Sequence, residues 1–178
     1  MVDIIHFGDL RLAPGVNRYE GDLYVIGNLY DEDYDNIGID STLVVEGNLY
    51  VSGTAFLHEL KISGSIFANR ISCSNCIAGE NIYVETELDG LNVIAGESIY
   101  VQEQLLLDDT VACFESIYAK FINSPLIRST FIECGDLIFE NIIGDTLTVN
   151  GELIIDNTPE SPVNIELNKI CSTNINIG

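Results

Sequence analysis

The chain has 178 residues, 47% of them hydrophobic, with 28 acidic against 7 basic side chains and a formal net charge of −21. That length fits one domain with a continuous core, and the apolar share excludes a disordered acidic tail. Such a charge repels phosphate backbones and anionic membranes, so direct nucleic-acid binding and membrane association are disfavoured and a basic protein is the expected partner.

The opening residues, Met1-Val2-Asp3-Ile4-Ile5-His6, lack the basic and apolar regions of a secretion signal. No stretch approaches the roughly 20 apolar residues of a membrane span. The five cysteines are an odd number without the spacing of a disulfide framework, so a reducing cytoplasm is the expected setting.

A repeat then runs the length of the chain. Gly8-Asp9-Leu10-Arg11-Leu12 is an irregular first copy, and Gly27-Asn28-Leu29-Tyr30 a second. Residues 31 to 41 form an acidic insertion, after which Gly47-Asn48-Leu49-Tyr50-Val51 and Gly64-Ser65-Ile66-Phe67-Ala68 resume the pattern. Gly79-Glu80-Asn81-Ile82-Tyr83-Val84, Gly96-Glu97-Ser98-Ile99-Tyr100-Val101 and Phe114-Glu115-Ser116-Ile117-Tyr118-Ala119 follow, then Gly135-Asp136-Leu137 and Gly151-Glu152-Leu153. The anchors Leu10, Leu29, Leu49, Ile66, Ile82, Ile99, Ile117, Leu137 and Leu153 are 16 to 20 residues apart. Asp156 to Pro162 breaks the pattern, because proline cannot donate to a strand ladder, and an Asn-rich segment to Asn176 continues or caps the last coil.

Within each copy the alternation has period two: Leu43, Val45, Leu49 and Val51 point one way, Val44, Glu46 and Tyr50 the other. A period this short is too small for a strand–helix–strand unit of about 30 residues. It predicts an all-β chain: one parallel β-solenoid (β-helix) of about nine coils, right-handed by the crossover rule. The expected organisation is a single domain over 1–178, with an irregular coil over 1–22, regular coils over 23–156 and a cap over 157–178.

Over about residues 20–156 this periodicity with inward aliphatics resembles parallel β-helix proteins, and the coil length is similar to that of the bactofilins. That resemblance implies a self-assembling structural scaffold. Pentapeptide-repeat rods are set aside, since no Leu or Phe recurs at every fifth position.

The residue after each anchor faces outward, giving Tyr30, Tyr50, Phe67, Tyr83, Tyr100 and Tyr118, then Ile138 and Ile154. Aromatic side chains suit a protein interface, although stacked aromatics also brace a sheet unaided. An acidic column, Glu80, Glu97, Glu115, Asp136 and Glu152, runs beside them without matching cations. Like charges about 4.8 Å apart repel by roughly 0.9 kcal/mol in water, a cost that a basic partner would relieve.

Other chemistry is thin. Residues 31–35 cluster oxygens without EF-hand spacing, and Cys73-Ser74-Asn75-Cys76 has no second pair to complete a zinc site, so no metal or other cofactor is expected. Cys113 and Cys134 read as core residues. His6 and His58 are the only imidazoles, neither beside a nucleophile motif. The residues therefore point to a non-enzymatic acidic binding protein, in its specific form an immunity protein neutralising a toxin. A self-assembling scaffold, joined through solenoid ends or the aromatic face, is the alternative; a carboxylate-based carbohydrate enzyme is the weakest reading.

Overall fold

The computed structural model describes residues 3–31, 41–155 and 164–177, with backbone only at 31, 140, 141, 145, 151–155, 164, 166, 168 and 171–177. All strands join one 14-stranded sheet, and every pairing between them is parallel. No described residue is helical. The molecule is the expected parallel β-solenoid.

Each turn lays down three short flat faces separated by corners. On the first face the inward column runs Ile4, Leu23, Leu49, Ile66, Ile82, Ile99 and Ile117. On the second it runs Leu10, Leu29, Ala55, Ile71, Leu88, Leu105 and Ile122. On the third, Leu43, Leu60, Cys76, Val93, Val111 and Ile127 succeed one another. The period-two alternation is what makes this possible: Leu43 and Val45 are fully buried while Val44 between them is not. Each buried Leu or Ile contributes about 1.5–3 kcal/mol, and the columns supply it continuously along the rod.

The register corrects the anchor series. Leu49, Ile66, Ile82, Ile99 and Ile117 do form one buried column, but Leu10 and Leu29 belong to the second face, and Leu23 takes their place on the first. Past Ile117 the turn shortens: Gly135 packs on the carbonyl of Lys120, and Gly144 on that of Ser129. Leu137 therefore lies under Ile122 on the second face, and Ile132 under Ile117. The side chain of Leu153 lies outside the described residues; its backbone pairs with Ile175.

Close stacking dictates the glycines at the corner between the third and first faces. A Cβ on Gly79 or Gly96 would overlap the carbonyl oxygen of Ser63 or Gly79, respectively. The acidic insertion, apart from the bounding Asp31 and Ser41, and the Pro-containing break both lie outside the described residues. Beyond that break, Asn164–Ile177 pairs in parallel with the end of Ser116–Ile155.

The inward columns are partly exposed in the first and last described turns. Ile4 is 39% exposed, and at the far end Ile165 and Ile170 are 38% and 43% exposed, whereas their neighbours Leu23, Ile142 and Leu147 are fully buried.

Candidate partner-binding face

The first face presents its middle residue outward, and parallel in-register pairing puts the same residue type directly below it. Tyr24, Tyr50, Phe67, Tyr83, Tyr100 and Tyr118 consequently form one continuous row. Successive ring centroids are 4.4, 4.7, 4.9, 5.0 and 4.9 Å apart, with planes within 9° of parallel. Below Tyr118 the row closes on Phe131, 5.8 Å away and tilted by 50°.

This geometry decides what the rings offer. Each inner ring has both π-faces covered by its neighbours, so no incoming cation or sugar can stack on them. The row shows only ring edges and hydroxyls; Tyr83 and Tyr100 keep 37% and 36% exposure. An edge carries the positive part of the ring quadrupole, so it favours acceptor groups and the faces of other rings. Burial, followed by the phenol of Tyr50 and the carboxylates of Asp22 and Asp3, pushes the Tyr24 phenol above its ordinary pKa.

Membership of the row differs from the sequence expectation at its ends. Tyr24 belongs to it, whereas Tyr30 stacks instead on Phe56 of the second face at 5.7 Å. The signal for Tyr24 was legible: Leu23-Tyr24-Val25 repeats Leu49-Tyr50-Val51, whereas Asp31 stands where Leu29-Tyr30 would need an inward aliphatic. Ile138 falls on the second face because of the shortened turn, and the backbone of Ile154 pairs with Asn176.

Along the corner preceding this row, Glu80, Glu97 and Glu115 stack directly. The Glu97 N–H donates to the Glu80 carbonyl and the Glu115 N–H to the Glu97 carbonyl, both at 2.8 Å. All three side chains are exposed. Their relief comes from neutral donors: Ser65 Oγ donates to Glu80 at 3.1 Å and Asn81 Nδ2 to Glu97 at 2.7 Å. Higher on the same corner, Asn48 donates through its backbone and its side chain to Asp22; on the corner between the first and second faces, Asn28 does likewise to Asp9. Among the described residues no Lys or Arg forms an ion pair with Glu80, Glu97 or Glu115.

Asp136 is not part of this column. The same shortened turn puts it under Phe121, at the corner between the first and second faces. Glu152 pairs through its backbone with Asn174, and its side chain lies outside the described residues.

Arg18 holds Glu46 at 2.9 Å higher on the corner that carries Glu80, and the other paired cations sit elsewhere. Arg70 bridges Glu87 and Asp89 of the next turn, the latter at 3.2 Å; Lys120 lies 3.9 Å from Glu103, and Lys61 holds Glu59 at 2.8 Å. The row of rings therefore lies between an acidic corner and a second corner, bearing Glu85 and Glu103, whose few cations are already engaged.

His6 donates from Nε2 to the Asp9 carbonyl at 3.1 Å in the first turn, while His58 stands at the corner between the second and third faces. Cys73, Cys76 and Cys134 are buried free thiols. A hydrogen bond with Cys76 and burial raise Cys73 well above the ordinary thiol range, and burial pushes Cys134 up to about 12. Among the described residues no three His, Cys, Asp or Glu side chains group as metal ligands, and no helix is long and apolar enough to cross a membrane.

Comparison with family models, with curated proteins and with solved structures gives no match to this chain.

Proposed function

We propose that this chain is a non-enzymatic binding protein that presents its first face to a basic protein. The supporting observation is the continuous aromatic row bordered by the stacked, cation-free Glu80, Glu97 and Glu115. A basic partner would relieve repulsion within that column while its apolar and acceptor groups meet the ring edges. In this reading the carboxylates steer association and the rings supply contact area. A small acidic protein of this kind fits neutralisation of a basic toxin, the specific form we favour. The test uses the basic protein that associates with the chain in its native host. Changing Glu80, Glu97 and Glu115 together to Lys is expected to slow association at least tenfold at low salt; an unchanged rate would exclude this face.

A second reading rests on the partly exposed columns of the first and last described turns. Ile4 caps the first-face column at one end. At the other, Ile170 pairs with Leu147, which lies one shortened turn beyond Ile132, and so caps the same column. Head-to-tail stacking would continue that column between molecules, producing a filamentous scaffold of bactofilin-like coil length. Sedimentation mass that rises with concentration supports it, and a constant single-chain mass up to millimolar concentration opposes it.

A further inference from the structure

Alongside the ring row runs a groove of about 450 Å³. The ring edges from Tyr50 to Tyr100 form one wall, and Ile26, Ser52, Asn69, Glu85 and Gln102, two residues further along each strand, form the other. These five positions sit on five successive turns, so the groove spans four inter-strand steps of about 4.8 Å, roughly 19 Å in all.

The two walls stand two residues apart along each strand, about 6.6 Å. An extended peptide would need free backbone partners, and in a solenoid the N–H and C=O groups point along the rod into neighbouring turns. Carbon atoms touch at about 3.5 Å, so a flat ring system fits edge-on between two walls spaced at about twice that distance. Its face would lie against the row of ring edges in the favoured edge-to-face arrangement, repeated at every turn.

Charge sets the remaining property. Glu85 is the one ionised side chain in the lining, held by the Asn69 amide at 3.4 Å, and no cation lines the groove. We propose that this groove binds an elongated, flat aromatic monocation, with its charged end toward Glu85. The groove shares the ring row with the proposed partner face, but its test uses the free chain and does not depend on that reading.

Thioflavin T is a suitable probe, because its fluorescence rises when its two ring systems are held coplanar. Titration of the non-sedimenting protein is expected to give a saturable rise with one dye per chain. Ser52→Trp, an exposed corner substitution that fills the slot, should abolish the rise. Glu85→Gln should weaken binding about two- to fivefold, the range for one solvent-screened charge pair. Ile94→Ser on the third face should change nothing. Absence of a saturable rise, or binding that survives both Ser52→Trp and Glu85→Gln in folded protein, would overturn the assignment.

Discussion

Truncating one ring in the middle of the row, Tyr100→Ala, separates a structural brace from a simple surface decoration. Tyr100 stacks on Tyr83 at 5.0 Å and on Tyr118 at 4.9 Å, and the substitution removes both contacts. Each aromatic pair contributes about 0.5–1.5 kcal/mol beyond area burial, giving about 1–3 kcal/mol for two. The side chain is 36% exposed. Its buried remainder, a little over about 100 Å² for an aromatic of ordinary size, adds about 2–3 kcal/mol as an upper bound. The neighbours can close partly over the gap, so the expected loss is about 2–4 kcal/mol. Tyr100→Phe keeps the ring and should lose less than about 0.5 kcal/mol; Tyr100→Leu keeps most of the burial without the stacking and should fall between. Urea unfolding followed by circular dichroism reads this as a lowered midpoint at constant slope. A Tyr100→Ala stability within about 0.5 kcal/mol of wild type would refute the claim that the row braces the sheet.

Three further outcomes follow from particular contacts. Arg70→Met leaves Glu87 and Asp89 facing each other without their cation; because all three are partly solvent-exposed, the expected loss is about 1 kcal/mol, read as a urea midpoint that recovers in 0.5 M NaCl. Burial holds the Cys134 thiol at about 12 in the folded chain, so the unfolded chain releases this proton first, and stability contributed below the unfolded value of about 8.5 is lost as pH rises toward 12. Melts across that window should fall less steeply for Cys134→Ala than for wild type, and parallel curves would contradict the assignment. Finally, the carboxylate column predicts that raising NaCl from 10 mM to 0.5 M increases the melting temperature by a few degrees, with a smaller increase in Glu97→Gln; a melting temperature that falls with salt would show the column already compensated.

The fold was legible because a solenoid repeats one local instruction: inward Leu or Ile, outward aromatic, inward Val, then a glycine where two backbones touch. What the repeat hid was which of three faces a given copy lay on. All three carry an inward aliphatic followed by an outward residue, so Leu29-Tyr30 on the second face mimics Leu23-Tyr24 on the first. Counting anchors at near-equal spacing also assumed constant turn length. The contraction after Ile117 moved Leu137 and Asp136 one face along, while the insertion lengthened the turn from Leu23 to Leu49. The carboxylates that sequence position did stack correctly, Glu80, Glu97 and Glu115, lie where turn length is nearly constant. The groove had no sequence signature at all. Its second wall mixes Ile, Ser, Asn, Glu and Gln, and only the register brings them into line beside the rings.

Hydrogen exchange of the chain, alone and bound to the basic protein that associates with it, tests the partner face most directly. Slowed exchange at the corner carrying Glu80, Glu97 and Glu115 and along Tyr83 to Tyr118, with the third-face segment Asn92–Ala95 unchanged, is the predicted result. Protection confined to Ile4–Phe7 or Asn164–Ile177, at the rod ends, with the aromatic row exchanging as in the free chain, would contradict it.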